Sequence, residues 1–562
     1  MIASSLFALP AFTANHDPQP SELLTQAATF RGAASTTQNP SHTYSSIGTH
    51  IATPPFSDAG AHIATASKII TVSGGSLTVT VSPANDIQTA VNNNPESTTF
   101  ILQPGLYRAM SVTSPKNGDR FIGQSGAVMD GAKVLIGWSQ AIIGGITYWT
   151  TAGAIPLTGN CGSSGPCCIS SWQDCVSPQN LYFDNTDYAH ANSFANMRSG
   201  RWYYDFSGTD GGVLDNIYLL DNPDGHTVEL SAQHYAFIGT ASNVTVKGLV
   251  IEKYAAPIQQ GAVQPEGAQW MVDSNEVRLN HGTGISPENG ATNVKVTNNN
   301  VHHNGQEGIG SGNLVGGLFD SNTVAYNNID NVTPGFDAGG VKLTGSHIMI
   351  NNNTVHDNRG VGLWTDGHGE YMTYDHNSSY NNYGGIRYEV SGHGTITNNT
   401  VYGNGSSGND QITYAGSDYG VISGNTVFVG VSGPSTSGSM SGGIAVDNIG
   451  RSDGFKVTHV QVTHNTIKFD PNAGNYLGVG LDDYASQPDV YTDPTNYFDY
   501  NTYYVPVLGN KNWYWSERGS LVAPGPNPVT WSTWQTNGED LHGSVILATG
   551  IKPQQLRKLR PR

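Results

Sequence analysis

Three stretches of the chain set charged and aromatic residues at matching offsets from a glycine and an apolar residue. They read Gly339-Gly-Val-Lys342, Gly362-Leu-Trp-Thr-Asp366 and Gly385-Ile-Arg-Tyr-Glu389. Seven segments align on their apolar residue: Ile285, Ile309, Val341, Leu363, Ile386, Ile412 and Ile444. The next position then holds Ser286, Gly310, Lys342, Trp364, Arg387, Thr413 and Ala445. Two residues further on stand Glu288, Gly312, Thr344, Asp366, Glu389, Ala415 and Asp447. Side chains alternate faces along a strand, so both columns of a stacked set point outward together. Coils about 4.8 Å apart would bring the Asp366 and Glu389 carboxyls to about 5 Å. That is the spacing of a retaining glycosidase pair; inverting enzymes need more. Neighbouring carboxylates repel, which raises one pKa and leaves the other group ionised. Lys342 or Arg387 would hold the nucleophile charged, and Trp364 would offer its face to a sugar ring. Glu288, Thr344 and His368 complete the expected substrate contacts. The competing reading is an exposed salt-bridge ladder, and a tryptophan in the same patch favours a site.

The elements that must position these residues come from a repeat. From about residue 243 a unit V-x-x-N-x-V-x-x-N recurs, followed by Gly-Ile or Gly-Val. Its first Asn falls at Asn275, Asn299, Asn322, Asn353, Asn377, Asn399, Asn425 and Asn465. A second follows at Asn280, Asn304, Asn327, Asn358, Asn382 and Asn404. Steps of 22 to 24 residues, with inserts in the longer ones, match one coil of a parallel β-helix. A leucine-rich repeat shares the period but needs a Leu ladder, which is missing. Asn tolerates left-handed backbone at such turns, and its amide can hydrogen-bond the next coil. The Asn columns are therefore expected to be structural.

Composition agrees. Only 12% of the 562 residues are charged, 69 are Gly, and the net charge is −18. This excludes a helical bundle and gives no basic face for nucleic acid. No apolar run reaches 18 residues, so no membrane span is expected. Residues 1–66 read as a leader, with a signal-peptide-like start, and a flexible segment. Residues 67–135 read as an N-terminal cap and first coils, with a short helix at Ile87–Val91. The period breaks over 136–231, read as an inserted β-rich domain. Its cysteines Cys161, Cys167, Cys168 and Cys175 suit two disulfides, Cys167 and Cys168 each pairing with Cys161 or Cys175. That chemistry implies an oxidising compartment and a secreted protein. The main helix is expected over 232–510, with a cap and tail over 511–562. His302, His303, His356, His368, His376 and His393 share no column, so no metal or cofactor is expected. Structural calcium at Asp330 and Asp337 is the one option left open.

The three motifs at Lys342, Asp366 and Glu389 resemble the β-helical β-xylosidases of glycoside hydrolase family 120. The resemblance implies an all-β chain, a right-handed parallel β-helix with a β-sandwich insert, and retaining hydrolysis. It implies Asp366 as nucleophile and Glu389 as acid/base. Carbohydrate is then the expected partner, as polysaccharide or oligosaccharide. A uronan lyase or epimerase, with Lys342 or Arg387 as base, and a non-catalytic glycan-binding rod are the alternatives.

Overall fold

In the computed structural model the described residues are 77–152, 179–204, 211–213, 216–405, 410–430, 442–451, 454–471, 477–517 and 528–548. The backbone of short strands between 25 and 72 is also described. The leader start, the four cysteines and the basic tail from Lys552 to Arg562 lie outside the described residues. The chain falls into two compact units, Met1–Thr78 and Val79–Arg562. The first contains short antiparallel pairs, such as Gly48–Ala52 with Lys68–Val72.

The second unit is a right-handed parallel β-helix. One of its sheets runs through thirteen strands, from Gly105–Arg108 to Ser544–Leu547, every pair parallel. A helix, Ile87–Asn92, covers the N-terminal end, capped by Asp86, whose carboxylate accepts from the Thr89 N–H at 2.6 Å. An eight-stranded, mostly antiparallel sheet with its own core spans Ala132–Ser231. No helix among the described residues is long and apolar enough to cross a membrane.

The strands that build the outward columns are β1 (Thr283–Ile285), β2 (Glu307–Asp320), β3 (Gly339–Asn351), β4 (Val361–Thr365), β5 (Gly384–Glu389), β6 (Ile412–Ala415) and β7 (Ile444–Asn448). Each pairs with the next in parallel, and Ile285, Ile309, Val341, Leu363, Ile386, Ile412 and Ile444 form one inward row. All seven are buried. At about 1.5–3 kcal/mol for each side chain fully removed from water, such rows hold the register. A slip of one residue would turn them to solvent.

The corners are held by amides. Asn377 Nδ2 donates to Asn399 Oδ1 on the next coil at 3.0 Å and to the Ile350 carbonyl at 2.8 Å. Its own Oδ1 accepts from the backbone and side-chain N–H groups of Asn353. The same pattern runs from Asn275 through Asn465 to Asn501, and a second column runs from Asn280 to Asn404. One expectation needs correction. The ladder residues do not take up the left-handed backbone; the residue before each does, as at Asn298, Asn352, His376 and Asn398. That kink turns the chain, and the following Asn, in ordinary backbone geometry, aims its amide along the stack. The first ladder ends on Asp540, whose Oδ1 accepts from Asn501 and whose Oδ2 accepts from Tyr503 and Trp534.

Candidate functional site

The register aligns Gly310, Lys342, Trp364, Arg387, Thr413 and Ala445 in one row, and Glu389, Ala415 and Asp447 in another. Thr365 pairs with Tyr388, so Asp366 and Glu389 each follow one residue later on neighbouring coils. Each carboxylate has its own cation. Lys342 Nζ lies 3.1 Å from Asp366 Oδ2 and 3.1 Å from Asp337 Oδ1. Arg387 Nε lies 2.8 Å from Glu389 Oε2, and Arg451 approaches its other oxygen at 3.8 Å. Asp366 Oδ1 also accepts from the Gly367 N–H at 2.7 Å.

Trp364 does not offer a ring face to a sugar. It is 3% exposed, with Lys342 Nζ 3.9 Å from its ring centroid and the Arg387 guanidinium at 5.5 Å. Two cations one coil to either side take up the π faces that a ligand would need. His368 sits in the loop after Asp366, its ring 5.4 Å from that of Phe455. The Thr344 N–H donates to Ser311 Oγ at 3.2 Å, and its hydroxyl donates to the Ser311 carbonyl at 3.0 Å.

Toward the N-terminal coils the strip opens into a cavity of about 400 Å³ that includes Glu288, Thr344 and Lys342. Glu288 accepts from Ser286 Oγ at 2.6 Å, and burial with Asp337 and Glu266 nearby pushes its carboxyl up to about 7. Glu307 is buried deeper. Burial, and then the charge of Asp337 and a hydrogen bond with it, raise its pKa well above the ordinary carboxyl value. Burial opposes the Lys342 charge, but Asp337, Asp366 and Glu307 outweigh it and raise the ammonium's pKa. The strip thus sets carboxyls with raised proton affinity at one end and cation-paired carboxyls at the other.

Glu307 and Arg451 were not singled out from the sequence. Glu307 lies two residues before the aligned Ile309, outside both columns, although Gly310 and Gly312 in those columns marked a gap beside it. Arg451 arrives from beyond β7, and no spacing announced it. Asp330 and Asp337, the calcium option, are engaged by protein groups: Asp330 by His281 and Asn180, Asp337 by Lys342 and Gln259.

A family model described as "right handed beta helix region" matches residues 260–427 and 318–480. No curated protein sequence matches the chain significantly. Among solved structures, the Azotobacter vinelandii mannuronan C-5 epimerase AlgE6 A-module is 14% identical, covering 83% of this chain and 96% of that one, with a TM-score of 0.43. The Pseudomonas phage phi297 tailspike gp61 is 12% identical over 78% of this chain and 71% of that one, with a TM-score of 0.40. The Yersinia enterocolitica family 28 exopolygalacturonase is 12% identical over 88% and 86%, with a TM-score of 0.23.

Proposed function

We propose that the chain is a secreted glycoside hydrolase that acts by retention on a polysaccharide or its oligosaccharides, of xylan type in keeping with the family 120 resemblance. The observation that carries this reading is the placement of Asp366 and Glu389 on neighbouring coils, each oriented by its own cation. Coils spaced about 4.8 Å apart suit the 5–5.5 Å that retention requires. In this reading Asp366 attacks the anomeric carbon and Glu389 protonates the leaving oxygen. Glu389 then takes a proton from the water that releases the sugar. Lys342 holds Asp366 in line.

A lyase or epimerase would need a free base for the C5 proton. Lys342 is a poor one, because Asp337 and Asp366 keep it protonated. The Arg387 guanidinium is paired with Glu389 and offers only N–H donors, with no atom that accepts a proton. This favours hydrolysis. The test is reducing-end release from a panel of neutral and uronic polysaccharides, with proton NMR of the first anomer formed. Asp366→Asn and Glu389→Gln should each lower turnover at least about 10³-fold with little change in thermal unfolding. Undiminished turnover by Asp366→Asn would sink the assignment. An unsaturated, ultraviolet-absorbing product would point to elimination, and binding without turnover to a glycan-binding rod.

A further inference from the structure

Between β1 and β3 the outward columns are interrupted. Gly310 and Gly312 stand where later coils carry Lys342, Trp364 or Arg387, and Thr344, Asp366 or Glu389. The pairing of β2 with β3 also shifts register between Ser311 and Leu314. A Cβ at Gly312 would stand 1.9 Å from Glu288 Oε2, and one at Gly310 would stand 2.9 Å from Ser286 Oγ and 3.1 Å from Glu307 Oε2. Two carboxyl side chains therefore lean across space that a side chain would otherwise fill. The result is a notch in the strip, the cavity of about 400 Å³, whose walls include Gln264, Ser286, Glu288, Glu307, Lys342 and Thr344.

One wall atom points to a ligand. Glu307 is 3% exposed, lines the notch, and its Oε1 has no hydrogen-bond partner among the described residues. Buried polar atoms are almost always paired, so an orphan on a residue that lines a polar cavity of this size is placed for a group that enters it. Among the described residues no three His, Cys, Asp or Glu side chains converge in a way that could hold a metal ion. A pyranose ring brings several hydroxyls that both donate and accept, which the carboxyls, amides and hydroxyls of the walls can meet. Its charge matters as well. The acids Glu288, Glu307 and Asp337 gather here, and the one cation among the described lining residues, Lys342, is already engaged by Asp337 and Asp366.

We propose that the notch cut by Gly310 and Gly312 is a sugar subsite for an uncharged pyranose, in which Glu288 and Glu307 bind ring hydroxyls and exclude uronic acids. The proposal rests on the glycan-processing reading above and deepens it by naming the substrate class. A neutral ring accepts hydrogen bonds from a protonated carboxyl and donates them to an ionised one. A uronate would bring a further acid against these acidic walls, with no free cation among the described lining residues to meet it.

The experiment measures binding apart from turnover. The full-length Asp366→Asn chain is titrated calorimetrically with xylo-, cello-, manno- and galacto-hexaose, and with tetragalacturonate and tetramannuronate. At least one neutral oligomer should bind about 100-fold more tightly than either uronate. Gly312→Val, which fills the notch and need only displace the end of the flexible Glu288 side chain, should weaken that binding at least about 10-fold. Glu288→Gln, which adds no bulk, should halve the discrimination on a logarithmic scale. Equal binding of uronates, binding by no neutral oligomer, or indifference to both variants overturns the subsite. Notch-dependent binding with no turnover by the unmutated chain leaves the subsite standing and removes the hydrolase reading. Turnover with a KM unmoved by Gly312→Val does the reverse.

Discussion

Lys342 and Asp366 form an ion pair across neighbouring coils, Nζ to Oδ2 3.1 Å, with the lysine side chain only 12% exposed. The same ammonium holds Asp337 and lies over Trp364, so one cation ties the notch to the proposed nucleophile. Lys342→Met keeps the stem's bulk but leaves two carboxylates unmatched. We expect a destabilisation of about 2–3 kcal/mol, below the range for fully buried pairs because Asp366 is partly exposed. Turnover should fall about 100-fold, since the nucleophile loses its orientation. Urea unfolding and kcat/KM measure the two effects. Arg451→Gln is the contrast: its side chain is half exposed and 3.8 Å from Glu389, so stability should change by less than about 0.5 kcal/mol.

How much of this was legible in the sequence depends on what kind of signal each residue gives. The seven apolar residues from Ile285 to Ile444 align in the structure as their spacing predicted, because burial repeats once per coil and leaves a period. The rows beside them followed, which is how Lys342, Trp364, Arg387 and Glu389 were found. A column says which face a side chain leaves from, but not what it then touches. Trp364 therefore read as a sugar platform, although cations on both adjacent coils cover it. Glu307 was missed because it opens β2 two residues before the aligned Ile309, outside both columns counted from that residue. The two glycines beside it gave a signal of absence, a gap in two columns, that is easily read as a turn. The residue before each ladder Asn carries the left-handed kink in several residue types, including Asn298, His376 and Tyr500, so composition hid it.

The amide ladder and its terminus should be chemically non-interchangeable. Every ladder Asn donates in one direction and accepts from the other. Asn377→Asp would set a carboxylate oxygen against Asn399 Oδ1 and leave the Ile350 carbonyl without its donor. Each orphaned buried group costs about 1–3 kcal/mol, so the loss should be roughly 3–5 kcal/mol. At the end of the stack both Asp540 oxygens accept, and Asp540→Asn would turn an NH₂ group toward donors from Tyr503 and Trp534, or from Asn501. A loss of about 2–4 kcal/mol is expected there. Denaturant unfolding of the two exchanges tests the direction of the ladder; a neutral Asn377→Asp would contradict it.

Stability should also depend on pH through the C-terminal cap. Glu539 is 6% exposed, and burial beside Asp540 and Asp499 outweighs its bond from the Phe498 N–H, pushing the carboxyl up to about 7. In the unfolded chain it titrates near its ordinary value of 4.5. Between those two values the unfolded state releases a proton that the folded state keeps, so stability is full below about 4.5 and falls as pH rises through about 7. The shift corresponds to roughly 3 kcal/mol at most. Glu539→Gln keeps an oxygen for the Phe498 N–H and cannot ionise. The difference in unfolding free energy between the variant and the original chain should therefore be small at pH 4.5, grow in the variant's favour toward pH 7, and level off above it. Glu288 and Asp130, raised to about 7 and about 6, titrate in the same window but are common to both proteins and cancel. A difference that stays flat from pH 4.5 to 8 would show that Glu539 is ionised in the folded cap.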